Sequence, residues 1–241
     1  MRFVYILDKE VTYGQFMLNI LLERDLVPEM VIEEVSFKAT RHRNIFLERL
    51  KGKNIPPSIA SQVNKYGLSY TSVPSLSSSE CEKILKKVAP DLMVSGGTIS
   101  IMKKNIFSIP LWGTLVSHPG LLPSVRGAAS PAWSIYKDIQ VGCSCIIIDE
   151  GIDTGPIIKS KIVPVYFGDT YEDIVERNIV YCGELMAEVV FMFKEKNKPI
   201  QGEPQNVTIG DTYKVMPPEL VKEVKTKLQN GTYRWMQSKN S

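Results

Sequence analysis

The residues best suited to proton chemistry are a histidine and a group of acids that end two apolar runs. His118 follows the run Trp112–Ser117 and opens the proline- and glycine-rich stretch Ser117–Gly127, SHPGLLPSVRG. Asp149, Glu150 and Asp153 follow the β-branched run Gln140–Ile148. A carboxylate beside an imidazole fixes its tautomer and favours its charged form, and such a pair can move a proton between bound groups. Taken singly, each residue has a plain structural reading: His118 as an ordinary strand-end residue, the acids as loop solvation. Taken together at the ends of two neighbouring runs, they form a candidate site.

The elements that must position this pair follow from periodicity. Short apolar or alternating runs predict strands over 3–7, 30–35, 69–73, 91–95, 112–117, 140–148 and 156–164. Helical spacing predicts helices over 13–24, 43–50, 57–66, 130–136 and 219–228. Proline falls near the first turn of two of them, at Pro57 and Pro131. Ser78 or Ser79 can cap a helix through Lys87, and Asp169 or Thr170 a long helix to about Lys194. Its apolar stripe is Ile174, Val175, Ile179, Leu185, Val189 and Phe193. Strands alternating with helices predict an α/β fold with a mostly parallel twisted sheet over residues 1–196. Pro199, Gly202, Pro204, Gly210, Pro217 and Pro218 break the chain after that, so residues 197–241 read as a C-terminal appendage. Parallel α/β sheets bind ligands at the carboxyl ends of their strands, which here carry the loops after Val94, Val116 and Ile148.

Composition narrows the class. The chain has 241 residues, a formal net charge of +3 and ordinary hydrophobic and charged fractions. One basic cluster, Lys38, Arg41, His42 and Arg43 with Arg49, Lys51 and Lys53 beyond, reads as a solvated helix face or as an anion-binding surface. The overall charge gives no ground for a nucleic-acid partner. Cys81, Cys143, Cys145 and Cys182 match no zinc spacing, and Cys143 and Cys145 share one strand face as small buried hydrophobes. Asp8, Lys9 and Glu10 interrupt the first apolar run, and no apolar stretch reaches the roughly 18 residues of a membrane span. A reduced, cytoplasmic location and no membrane partner are the expectation.

Two stretches resemble the folate-dependent formyltransferases. HPGLLPSVRGAASPAWSIYK, from His118 to Lys137, is similar to their first signature loop and helix, and IIIDEGIDTGPII, from Ile146 to Ile158, to their second signature loop. Both occur in the family's order and separation, and the resemblance covers Met1 to about Lys196. It implies a Rossmann-like domain that takes 10-formyltetrahydrofolate as co-substrate and passes its formyl group to an amine without a metal. It implies that His118 and Asp153 are the reaction-centre pair, with His118 stabilising the charged formyl oxygen and Asp153 holding the ring. It implies a folate pocket near Ile99 to Met102, with Ser100, Ile101 and Met102, and along Asp149, Gly151 and Asp153.

This chain departs from the family pattern at Val116, where the resemblance implies an asparagine whose amide supports the formyl oxygen. Valine cannot donate, and Ser117 points to the opposite strand face. Thr98, Ser100 and the backbone amides of Gly96 and Gly97 are candidate substitutes. Two readings stay open: an active N-formyltransferase, and a degenerate member that binds folate or a partner without efficient transfer.

Elimination within the resemblance narrows the acceptor. The stretch Asp8–Gln15, DKEVTYGQ, lacks the glycine-rich phosphate loop of glycinamide ribonucleotide transformylases. The appendage is expected to be too short for the tRNA-binding domain of methionyl-tRNA formyltransferases, and the front domain of the hydrolases is not expected here. An amino-sugar nucleotide remains as the expected acceptor, with another small amine as the alternative. Arg126 is a candidate contact to an acceptor phosphate or carboxylate, or else a pin between its loop and a carbonyl. Trp112 and Trp133 read as core. The sequence leaves homodimer formation open.

Overall fold

The computed structural model describes residues 1–9, 11–35, 56–98 and 101–239. The helix expected over 43–50 and the basic cluster from Lys38 to Lys53 lie outside the described residues, as do Ile99 and Ser100.

Seven strands form the main sheet: β1 (Phe3–Asp8), β2 (Met30–Glu34), β3 (Tyr70–Val73), β4 (Leu92–Ser95), β5 (Thr114–His118), β7 (Gly142–Ile147) and β8 (Ile157–Ile162). Their order is β3-β2-β1-β4-β5-β7-β8. The sheet is parallel through β5, while β7 runs antiparallel to β5 and β8 antiparallel to β7. This is the expected mostly parallel α/β architecture.

Both faces of the sheet are covered, and the period-2 geometry of a strand sorts its side chains between them. On β1, Phe3, Tyr5 and Leu7 join one core cluster, and Val4 and Ile6 join another. The first cluster packs α1 (Thr12–Glu23) and the long helix α6 (Tyr171–Lys196) against the sheet, through Met17, Leu18, Leu21, Ile174, Leu185, Val189 and Phe193. The second packs α3 (Ser79–Val88) and α4 (Lys104–Phe107) through Cys81, Leu85 and Ile106. Fully burying a large apolar side chain contributes roughly 1.5–3 kcal/mol.

Helix starts follow local chemistry. Ser78 caps α3 by accepting from Cys81 N, and Thr170 and Asp173 close a capping box at the start of α6. The helix α2 (Ile59–Tyr66) is capped by Ser58, which puts Pro57 before the cap and not in the first turn. Pro131 does fall in the first turn of α5 (Ser130–Tyr136).

Two regions read as loop or breakers contain paired backbone. The loop after His118 holds a short strand, β6 (Val125–Gly127). It pairs in parallel with β10 (Asp211–Tyr213), which comes from the tail. Glu203 bridges Ile157, and β11 (Met236–Gln237) pairs with β9 (Val165–Tyr166). Helix α7 (Pro218–Gln229) contacts α5 and α6. Met216, Val224, Leu228 and Tyr233 are buried in the same core cluster as α1 and α6. The proline and glycine residues break long elements but leave the tail tied to the body along its length.

Candidate functional site

A cleft of about 700 Å³ opens at the carboxyl ends of β4, β5 and β7. His118 stands at the end of β5 beside Ser144, and Val116 beside Ile146, by the antiparallel register with β7. The second loop returns Asp153 to this point. Its Oδ2 lies 3.2 Å from His118 Nδ1. The same oxygen accepts the Gly127 backbone N–H at 2.8 Å, so β6 helps aim the carboxylate. Asp153 has a φ of 55°, a left-handed conformation uncommon for a residue other than glycine.

The other edge of the imidazole is also engaged. Nε2 lies 2.8 Å from the Val125 carbonyl and 3.1 Å from Ser130 Oγ. A carbonyl only accepts, so Nε2 carries a hydrogen there. Gly120 makes this fit: a Cβ at that position would sit 2.7 Å from Val125 O and 2.8 Å from His118 Nε2. His118 is 4% exposed, whereas a fifth of the Asp153 side chain is exposed, so Asp153 is the more accessible member of the pair. The expected hydrogen bond from His118 to a formyl oxygen would require the ring to exchange one of its present partners.

Other contacts stiffen the frame. Tyr13, on α1, donates its hydroxyl to the Ser117 carbonyl and ties α1 to the end of β5. Burial, with the nearby Cys182 adding to it, pushes the Tyr13 hydroxyl well above the ordinary tyrosine range, so it remains a donor. Asp149 Oδ1 accepts Gly151 N at 3.0 Å and Thr154 Oγ1 at 2.7 Å, which folds the acidic loop on itself. Gln205, from the tail, donates to the carbonyls of Asp153 and Gly155.

The predicted site residues are therefore distributed as follows. His118 and Asp153 meet. Asp149, Gly151, Ile101 and Met102 line the same cleft. Ser100 lies outside the described residues. Arg126 is buried, and all five of its N–H donors are taken. Nε donates to Thr212 Oγ1, Nη1 to the carbonyls of Pro123 and Ile209, and Nη2 to those of Val207 and Gly210. Of its two readings, this geometry is the pin, and no donor is left over for an acceptor. Trp112 stacks on Phe193, while Trp133 stacks on Tyr213 at 4.6 Å between ring centroids. Among the described residues no group of His, Cys, Asp and Glu is arranged to hold a metal, and no helix is long and apolar enough to cross a membrane.

The model of the family described as formyl transferase matches residues 2–190. The chain belongs to the formyl transferase family. It is 32% identical over 145 residues to the methionyl-tRNA formyltransferase of Synechococcus sp. (strain CC9311), covering 59% of this chain and 42% of that one. The chain spans about half the length of the curated relatives it matches. Among solved structures, glycinamide ribonucleotide transformylase 1 from Symbiobacterium toebii superposes with a TM-score of 0.62 at 20% identity, over 88% of this chain and 95% of that one. The formyltransferase PseJ from Anoxybacillus kamchatkensis, solved with UDP-4,6-dideoxy-4-formamido-L-AltNAc and tetrahydrofolate, superposes with a TM-score of 0.55 at 21% identity, over 97% of this chain and 93% of that one. These likenesses show that the fold is shared.

Proposed function

We propose that this protein transfers a formyl group from 10-formyltetrahydrofolate to the amine of a small acceptor, an amino-sugar nucleotide. The observation that carries this reading is the contact between His118 and Asp153 at the cleft where the two signature loops converge. The cleft suits a folate. Its volume lies in the usual range for small-molecule sites, and Ile101, Met102, Ile146, Ile148 and Ile152 supply apolar lining for a flat ring. His118, Asp149 and Asp153 add polar groups to the same lining.

In the reaction, the amine nitrogen bonds to the formyl carbon and the bond from that carbon to folate N10 breaks. One proton leaves the amine and one is returned to N10. Asp153, the exposed member of the pair, receives the amine proton directly or through a water, and His118 behind it shares the charge. Gly127 N keeps the carboxylate aimed.

A small acceptor is favoured because Thr212, Tyr213 and Lys214, from the tail, form part of the wall of the same cleft. PseJ, a formyltransferase of the same fold, was solved in complex with UDP-4,6-dideoxy-4-formamido-L-AltNAc and tetrahydrofolate. The four cysteines are unbridged, which suits a reducing cytoplasm. A second reading rests on Val116: without an amide there, the protein binds folate but transfers poorly.

The deciding experiment is single-turnover transfer from 10-formyltetrahydrofolate to amino-sugar nucleotides, glycinamide ribonucleotide and methionyl-tRNA, with folate affinity measured alongside. Transfer to an amino sugar, abolished by His118→Ala with folate affinity retained, is the expected result. Transfer only to methionyl-tRNA or glycinamide ribonucleotide overturns the acceptor. Folate binding without transfer to any acceptor selects the second reading.

A further inference from the structure

The proposed reaction places negative charge on the formyl oxygen, and the two residues expected to meet it do not offer a donor here. Val116 has none, and both ring nitrogens of His118 face protein partners. Thr98 is already engaged. We infer that the hydroxyl of Ser95 is the hydrogen-bond donor for the formyl oxygen, in place of the amide that Val116 lacks.

Register and faces lead to this residue. Ser95 is the last residue of β4 and the direct partner of Val116 in the parallel pairing of β4 with β5. Registered residues on adjacent strands project to the same sheet face, with the strands about 4.8 Å apart. Ser95 lies two residues from Met93, which packs in the α3 and α4 cluster, while Val94 packs in the α1 and α6 cluster. Val116 lies two residues from Thr114, whose hydroxyl reaches back to the Phe107 carbonyl on the α4 side. Ser95, Val116 and His118 therefore share one face at the mouth of the cleft, and all three line it.

The place of the Ser95 side chain also suits a ligand. The residue is 2% exposed and lines the cleft together with Val116 and His118. An oxygen entering beside Val116 would come within reach of its hydroxyl. A donor one strand away from the position of the lost amide reaches the same point from the opposite side. The step itself is unchanged: Ser95 donates a hydrogen bond while carbon–nitrogen bond formation and cleavage proceed, and it gives up no proton.

This inference rests on the formyl-transfer reading, and the test separates the two. Ser95→Ala removes the donor and one heavy atom, so the fold is retained. It is compared with wild type, Val116→Asn and the double variant Ser95→Ala/Val116→Asn, by single-turnover transfer from 10-formyltetrahydrofolate. A second readout is binding of a folate analogue with an aldehyde at the formyl position, which hydrates to a tetrahedral diol. Its reference is the same analogue with a methyl group there.

Ser95→Ala should lower the transfer rate about a hundredfold. It should erase most of the preference for the hydrated aldehyde over the methyl analogue while leaving methyl-analogue affinity unchanged. Val116→Asn should restore part of the rate in the Ser95→Ala background. A rate and preference within about threefold of wild type in Ser95→Ala, with folate analogues bound, overturns the role of Ser95 alone. An equal loss of affinity for both analogues assigns Ser95 to packing and also overturns it. A wild-type protein that binds neither analogue overturns the formyl-transfer reading and this inference with it.

Discussion

Asp153 Oδ2 sits 3.2 Å from His118 Nδ1, although the two residues arrive from different strands. The aspartate also takes the Gly127 N–H, so one oxygen joins the second loop, the first loop and the histidine. Replacing it with asparagine keeps the size but removes the charge. Asp153→Asn should lower transfer by between about a hundredfold and ten-thousandfold, the usual contribution of a positioned proton acceptor. Folate affinity should change far less. Transfer rates across pH for the wild type and the variant test this, and a rate equal to wild type would remove Asp153 from the reaction.

Gly120 gives a steric test of the same pair. Its missing Cβ leaves room for His118 Nε2 to meet Val125 O, at 2.8 Å. Gly120→Ala places a methyl group within 3.0 Å of Val125 O, His118 Nε2 and Ser130 Cβ. The ring or the strand must move, at a cost of about 1–3 kcal/mol. The variant should fold with a lowered denaturation midpoint, and its transfer rate should fall more than its folate affinity. Unchanged stability and rate would mean that the imidazole is not held by this contact.

The thiols give a pH prediction. All four cysteines are buried and unbridged. Burial, followed by the charges of Glu34 and Glu80, pushes the Cys81 thiol from 9.0 to about 11. The Cys143 thiol is raised by its contact with Cys182 and by burial, and the Cys145 thiol by burial. The folded pKa of Cys81 thus lies above the unfolded one. Its contribution to stability is complete below about pH 9 and is lost as pH rises towards 11, because the unfolded chain ionises first. Native protein at pH 8 should resist a thiol-alkylating reagent, and the urea midpoint should fall between pH 8 and pH 10.5. Rapid alkylation of Cys81 without denaturant would contradict this placement.

These tests draw on parts of the structure that were legible in the sequence to different degrees. The Thr170 capping box, the Ser78 cap and the stripe of α6 depend on neighbours along the chain, so their spacing announces them. His118 and Asp153 were legible because each follows an apolar run and both fall in signature loops. The partners that aim them were not. Gly127 contributes a backbone amide and Val125 a carbonyl, and these carry no side-chain signature. Gln205 and Thr212 reach the site only because the tail folds back, which prolines and glycines signal as broken structure and not as pairing. Ser95, a serine ending a strand, looks ordinary until the β4–β5 register sets it beside Val116.

Arg126 tests whether the tail is integral to the site. Its guanidinium donates to four carbonyls and one hydroxyl, and the tail supplies Val207, Ile209, Gly210 and Thr212 among these partners. Charge-assisted hydrogen bonds to buried carbonyls are individually strong, and their loss leaves acceptors without partners. Arg126→Met retains a long apolar stem but no donor. It should cost about 2–4 kcal/mol of stability. Arg126→Lys should recover little, because an ammonium cannot span the planar fork of partners. Since β6 also carries Gly127, loosening it frees the Asp153 carboxylate, and transfer should slow for every acceptor alike. Denaturant unfolding, protease cleavage within residues 197–217 and rates with two different acceptors provide the readouts. If Arg126 instead served the acceptor, Arg126→Met would keep its unfolding midpoint and raise KM for phosphorylated acceptors only.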